Sequence, residues 1–171
     1  INNSKNFIIF AEDVTYDKNL EKITTLGSTR ANFQSKYNFE TSNITLKNNE
    51  MEFSSTEYAK ILTSENNLYE FNNYKYFIDK KLLKANKVNI NENILLDENE
   101  TDSLFFENGF FNLSEKSFLA GKTELKLKKN IFDQLENDPR LNGVSSSGKD
   151  GLTTVNKSIF TSCKKNDNCP P

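Results

Sequence analysis

Ser42-Asn43-Ile44-Thr45-Leu46 is the stretch that decides the predicted fold. In it, two polar residues precede two apolar residues that are separated by one position. The same order recurs at Glu12-Asp13-Val14-Thr15-Tyr16 and Asn86-Lys87-Val88-Asn89-Ile90, and more loosely at Asn66-Asn67-Leu68 and Asn108-Gly109-Phe110. Apolar residues two positions apart lie on one face of a β-strand. Units repeated at intervals of about 20 to 30 residues predict stacked short strands. They place Val14, Ile44, Val88 and Phe110 on one inward face.

Turn signals between these units favour an all-β domain. Polar clusters such as Lys47-Asn48-Asn49-Glu50 separate the alternating runs, and Asn and Asp tolerate the left-handed backbone of tight turns. The best helix candidate, residues 131–136, is short and runs into Pro139, which stops a helix. Gly and Ser are concentrated in residues 137–154. We expect a loop or loose hairpin there, turning at Lys149-Asp150-Gly151 before a last strand over residues 153–161.

The size and charge of the chain narrow its class. A length of 171 residues fits one domain with its own core. The 22 basic and 24 acidic residues are intermixed, so no basic face predicts a nucleic-acid partner. No apolar run approaches the roughly 18 to 20 residues of a membrane helix. Because the chain begins at Ile1 rather than Met, we expect a processed piece whose targeting segment lies upstream.

The residue inventory argues against an enzyme. The chain contains no His, which removes the usual general base and the commonest zinc ligand. Paired carboxylates could still serve a carbohydrate-active β-helix protein, but we find no cluster of Asp and Glu on one predicted face. The acidic stretch Asp97-Glu98-Asn99-Glu100-Thr101-Asp102 lacks the Gly that an EF-hand loop needs at its sixth position. We therefore predict no catalytic residue, no metal site and no cofactor.

Cys163 and Cys169 are the two cysteines of the chain. With five residues between them and no His, they form neither a CxxC redox motif nor a good zinc site. A disulfide is favoured over the alternative, two unpaired thiols in a cytosolic protein.

The 14 Phe and 6 Tyr residues allow two interpretations. They fill a closed core, as aromatic side chains usually do, or they line a groove between two facing sheets that takes acyl chains. The alternation alone does not separate a closed core from a groove.

Both ends of the chain resemble a known family. Three segments near the C-terminus resemble the end of the periplasmic domain of LptD (OstA), the lipopolysaccharide-assembly outer-membrane family, in its alphaproteobacterial forms. They are Asn137-Asp138-Pro139-Arg140-Leu141, Thr153-Thr154-Val155-Asn156-Lys157-Ser158-Ile159-Phe160-Thr161-Ser162-Cys163-Lys164-Lys165 and Cys169-Pro170-Pro171. The stretch Phe10-Ala11-Glu12-Asp13-Val14-Thr15-Tyr16-Asp17, with Ile23 and Gly27, is similar to the repeat that this family shares with LptA bridge proteins. The middle of the chain matches in pattern alone.

This resemblance implies an OstA-like V-shaped β-jellyroll over residues 1–162, with a Cys/Pro linker at residues 163–171 leading to an outer-membrane β-barrel. It implies lipopolysaccharide transport on the periplasmic side of the outer membrane. The domain would receive lipopolysaccharide from an LptA-like bridge protein by pairing of the edge strand near residues 7–16. It would pass the lipid to the barrel. An LptE-like lipoprotein, bound through that barrel, is a further expected partner.

Two alternatives stay open within the resemblance. Family members form disulfides to the barrel, so Cys163 and Cys169 pair with each other or with barrel cysteines. A soluble LptA-like bridge protein is the alternative identity, against which the tail over residues 153–171 argues, because a free-standing bridge does not need it.

We predict that lipid A acyl chains contact the inward apolar residues. Burial of each methylene gains about 0.8 kcal/mol, so an apolar lining needs no charged anchor. The predicted groove residues are Val14, Tyr16, Ile44, Leu46, Leu68, Val88, Ile90 and Phe110.

Overall fold

Antiparallel strands make up most of the described chain. The computed structural model describes residues 7–33, 37–97, 99–132, 136–164 and 169. Within these residues lie twelve strands of one sheet. The strands are β1 (Phe7–Asp17), β2 (Lys22–Phe33), β3 (Tyr37–Ser42), β4 (Thr45–Lys47), β5 (Glu52–Thr63), β6 (Leu68–Phe77), β7 (Leu82–Asn91), β8 (Ser103–Asn112), β9 (Ser117–Lys126), β10 (Arg140–Lys149), β11 (Leu152–Asn156) and β12 (Ile159–Thr161). The all-β prediction is confirmed.

The strands follow one another across the sheet in nearly sequential order. The path runs β1-β2-β3-β5-β6-β7-β8-β9-β10-β11, with β4 beside β2 and β5, and β12 beside β10. Most neighbours are joined by short turns, whereas residues 92–102 join β7 to β8 and residues 127–139 join β9 to β10. The sheet is a meander with β1 at one edge. In the described residues β1 pairs with β2 alone, which leaves its other backbone edge without a strand.

Turns at one end of the sheet repeat at nearly constant intervals. Non-glycine residues with positive φ occupy these turns at positions 21, 51, 81 and 116. The side chain of Asp17 accepts the N–H groups of Asn19 and Leu20 at 2.9 and 3.1 Å, and Asn112 accepts those of Ser114 and Glu115 at 3.0 Å. These Asx interactions explain why polar clusters form the turns.

A bend in the middle of each long strand changes which residues face the core. On β7, Leu83 and Ala85 pack with the buried cluster, and so do Val88 and Ile90. The step from 85 to 88 covers three residues rather than two, so the alternation shifts by one position. Lys87 lies at this step with φ of 48°. Asn43, Asn73 and Lys122 have left-handed backbones at the equivalent steps between β3 and β4, in β6 and in β9, and such irregularities bend a sheet.

The bend brings the two halves of the sheet face to face over one core. Phe39 lies before the bend and Phe53 after it, and their ring centroids are 6.2 Å apart. Phe106 and Phe118 make the same kind of contact at 5.2 Å. Tyr74 and Phe106 are among the largest fully buried side chains.

The C-terminal region differs from the prediction. Residues 140–149, expected as part of a loop, form strand β10. Gly143 and Gly148 belong there because a Cβ at Gly148 would lie 2.1 Å from a Phe118 ring carbon, and one at Gly143 would lie 2.2 Å from Val155 Cγ1. The turn at residues 149–151 is confirmed, but the last strand is split into β11 and β12 at Lys157, whose φ is 49°.

One short 3-10 turn, Lys129–Phe132, lies among the described residues. It overlaps the predicted helix candidate, of which residues 133–135 lie outside the described part.

Candidate functional site

The face of the sheet that carries the buried cluster is lined by uncharged side chains. We call it the inner face. Cross-strand partners share a face, so the register extends the inner face from strand to strand. One inner row runs through Ile9, Ala31, Phe39, Ile61, Tyr69, Ile90, Leu104, Leu125 and Leu141. A second row, beyond the bend, runs through Tyr16, Ile23, Leu46, Phe53, Tyr76, Leu83, Phe111, Phe118 and Gly148.

The opposite, outer face carries charges in alternating sign. Arg30, Glu40, Lys60 and Glu70 are successive cross-strand partners. Lys60 Nζ lies 2.9 Å from Glu40 Oε2, and the hydrogen bond from Lys60 lowers the pKa of Glu40. The contrast between the two faces is that of a core-facing side and a solvated side, since burying an unpaired charge is costly.

The centre of the inner face is filled by aromatic rings. Tyr74 is 2% exposed, and its ring makes T-shaped contacts with Phe39, Phe53 and Phe71 at centroid distances of 6.0, 6.2 and 5.2 Å. Its hydroxyl donates to Thr41 Oγ1 at 3.3 Å. Burial raises the pKa of Tyr74 to about 12. The centre of the inner face is therefore a closed core and not an open channel.

At the β1 end the inner face is open. Val14 and Tyr16 pair with Thr25 and Ile23 and share their face, yet they are 62% and 61% exposed. Behind them Thr25 is buried, and its hydroxyl accepts the N–H of Ile44 at 2.9 Å. An apolar, solvent-exposed shelf thus continues directly into the core.

The structure separates the eight predicted groove residues into four pairs. Val14 and Tyr16 are inner and exposed, and Leu46 and Ile90 are inner and half-buried. Ile44 and Val88 are inner but buried, so they belong to the closed core. The prediction of an inward position is wrong for the last two, Leu68 and Phe110, which lie on the outer face.

The reason for these two errors is local. Asn66-Asn67 is a turn in which Asn66 has φ of 63°, so β6 begins at Leu68 and its first residue packed on the core is Tyr69. In β8 the alternation shifts before Gly109, which puts Phe111 inside and Phe110 outside. There the ring of Phe110 lies 5.5 Å from Lys84 Nζ.

Sequence reasoning missed the rings that close the centre. Phe39, Phe53, Phe71, Tyr74 and Phe106 were not among the predicted site residues. A signal for the last three existed, because the inner residues of the long strands follow the spacing i, i+2, i+5, i+7, as in β6 at 69, 71, 74 and 76.

Cys163 and Cys169 are joined in a disulfide, with Cα atoms 6.3 Å apart. The predicted bond is thus present within the chain. Arg140, which is 6% exposed, holds Cys163 and Cys169 against the sheet. Its guanidinium donates to the carbonyl oxygens of Asp138, Cys163 and Cys169 at 3.0, 2.8 and 3.0 Å. Two segments that the resemblance singled out separately are therefore one structural unit.

The described residues were searched for a metal centre and for a membrane-spanning helix. Within the described ranges, no three His, Cys, Asp or Glu side chains are grouped to hold a metal ion. None of the helices in the described part is long and apolar enough to cross a membrane.

No protein-family model matches the chain, and no curated protein matches it. A solved structure does: LptH from Pseudomonas aeruginosa, described as the LptA homologous periplasmic component of the conserved lipopolysaccharide transport device. The TM-score is 0.55 at 13% sequence identity, and the match covers 68% of this chain and 82% of LptH. The predicted β-jellyroll is confirmed by this match, and the chain has the fold of an LptA-type protein.

Proposed function

We propose that this chain is a lipopolysaccharide-transport domain that carries acyl chains on its uncharged inner face. The observation that carries the proposal is the shelf at Val14 and Tyr16, where an inner face without charged residues in its described rows meets solvent. Each acyl methylene moved from water onto such a surface gains about 0.8 kcal/mol. The phosphorylated sugars would stay in water beyond the shelf. The domain binds and passes lipid and catalyses no reaction.

In its finer form, the proposal places the chain as the periplasmic domain of an LptD-like protein on the periplasmic side of the outer membrane. An LptA-like bridge would deliver lipopolysaccharide by pairing a strand with the edge of β1, whose second backbone edge has no partner strand among the described residues. Unpaired edges accept strands from other chains in this way. Residues 163–171 would lead to the barrel and its LptE-like lipoprotein.

A free-standing LptA-like bridge is the second candidate. The likeness to LptH, itself an LptA homologue, favours it as much as it favours an LptD-like domain. The two candidates differ in whether a barrel follows residue 171 in the gene, which sequencing downstream decides.

The test of the proposal is a pair of matched substitutions, Val14→Asp and Leu26→Asp. Val14 and Leu26 are similarly exposed, at 62% and 64%, and lie on neighbouring strands. Val14 is on the inner face, whereas Leu26 follows the buried Thr25 and points outward. A carboxylate in the acyl path is desolvated by the lipid at a cost of about 1 to 3 kcal/mol, so Val14→Asp should weaken binding roughly 5- to 150-fold.

The measurement is binding of purified lipopolysaccharide to the full chain, read by displacement of a fluorescent acyl probe. Leu26→Asp should bind like the unmodified chain. Equal weakening by both substitutions, or no binding by the unmodified chain, would contradict the proposal.

A further inference from the structure

The apolar interior is divided by a wall of three rings. Phe39, Phe53 and Tyr74 contact one another pairwise, with centroid distances of 6.2, 6.0 and 6.2 Å. They come from β3, β5 and β6. We call these three residues the ring wall.

The ring wall spans the bend of the sheet. Phe39 belongs to the row before the bend, and Phe53 belongs to the row beyond it. Because rings from both halves meet, they close the space between the halves at this point. Tyr74 is fixed in the wall by its hydroxyl, which donates to Thr41 Oγ1.

The inner face differs on the two sides of the wall. On the β1 side, Val14 and Tyr16 are more than 60% exposed. On the far side, Ala85 and Phe106 are 0% exposed. The inner face is thus open to solvent at β1, in front of the wall, and packed in the centre behind it. In front of the wall, the residues next to the bend, such as Thr29, are buried as well.

We propose that acyl chains bind in front of the ring wall, on the section lined by Val14, Tyr16, Ile23 and Leu46, and that the wall has to open before lipid reaches β7. This inference rests on the proposed function and adds a boundary to it. An acyl chain fits the front section because its inner positions carry no charge and because the section continues into the core. A strand of a second copy would instead seek the backbone edge of β1.

Two positions in the same inner row provide the test. Tyr16 and Leu83 belong to the row that runs through Phe53, one in front of the wall and one behind it. A photocrosslinking residue is placed at one or the other in the full chain, which is then irradiated with purified lipopolysaccharide. The yield at position 16 should exceed the yield at position 83 several-fold.

Opening the ring wall should change the crosslinking yield at position 83. Phe53→Ala removes one ring and should raise crosslinking at position 83 toward that at position 16. Phe53→Leu, which keeps an apolar side chain of intermediate size, should have a smaller effect and serves if Phe53→Ala unfolds the chain. Far-UV circular dichroism checks folding of each variant.

The outcomes separate the two claims. Equal yields at positions 16 and 83 in the chain with an intact wall overturn the ring wall as a boundary and leave the proposed function standing. No adduct at either position overturns both. A protein dimer crosslinked through position 16 without lipid assigns the front section to a second copy and overturns the inference.

Discussion

Replacing Arg140 by Met should destabilise the domain by about 3 to 4 kcal/mol. Met keeps the length of the buried stem but has none of the donors that reach the carbonyls of Asp138, Cys163 and Cys169. Hydrogen bonds from a charged donor contribute about 1.5 to 3 kcal/mol each, and they are not additive when they share one guanidinium. In the variant, carbonyl groups that regain contact with water recover part of the lost free energy. The expected destabilisation is therefore smaller than the sum of three hydrogen bonds.

The assay is thermal unfolding of the oxidised chain, followed by circular dichroism. For a domain of this size, a loss of 3 to 4 kcal/mol corresponds to a fall of roughly 6 to 16 °C in Tm. Arg140→Lys should recover only part of it, because an ammonium lacks the planar fork that reaches three separate carbonyls. A loss below about 1 kcal/mol for Arg140→Met would refute the role of Arg140 as the anchor of the disulfide loop.

Removal of the disulfide tests whether Arg140 stabilises the domain through the two cysteines. On the chain-entropy model a disulfide closing so short a loop contributes about 2.4 kcal/mol. In a chain carrying Cys163→Ala and Cys169→Ala, the loop carbonyls are no longer held in place. Arg140→Met should then cost less, with a coupling of about 1 kcal/mol or more in the double-mutant cycle. Equal costs with and without the disulfide would show that Arg140 does not act through the loop.

Three further predictions concern the core and the bend. Gly148→Ala should lower stability by about 1 to 3 kcal/mol in thermal unfolding, because the new Cβ would lie 2.1 Å from a Phe118 ring carbon; an unchanged Tm contradicts this. Burial raises the pKa of Tyr74 to about 12, so the stability that the protonated phenol contributes is complete below pH 10 and is lost as pH rises toward 12. Between pH 9 and pH 11, the free energy of unfolding measured in urea should therefore fall less for Tyr74→Phe than for the unmodified chain. Lys87→Gly should be neutral or stabilising because φ is 48° there, whereas Lys84→Gly, in the same strand, should cost about 1 kcal/mol; equal losses contradict the left-handed bend.

The fold class followed from local chemistry that tertiary structure did not override. Period-two alternation and Asn-rich turns indicated short strands, and the predicted turn cluster Lys47-Asn48-Asn49-Glu50 leads from the end of β4 into the turn before β5. The region 140–149 could not be assigned from local signals. Its Gly and Ser residues normally indicate a loop. Here they are strand residues, because Gly148 faces the ring of Phe118 across the pair β9 and β10.

The site was only partly predictable for a related reason. The recurring pattern found Val14, Ile44 and Val88, each the first inner residue after a bend, because the polar pair before each apolar residue occupies the bend itself. At Leu68 the same polar pair forms a turn between strands. A polar pair in a turn and a polar pair in a bend are alike in sequence, and only the pairing of the strands separates them.

The bend also explains why the interior is closed in its centre and open at its end. Next to the bend, small inner residues such as Ala59 and Ala85, both 0% exposed, lie beside the large rings of Phe71, Tyr74 and Phe106. Small side chains let the two halves approach, and the rings of neighbouring rows then fill the remaining space. At β1 the sheet ends, so Val14 and Tyr16 are flanked by a strand on one side only. On the proposed function, the apolar surface open to lipid is therefore the one at the edge strand, and lipid would reach the centre only by displacing rings.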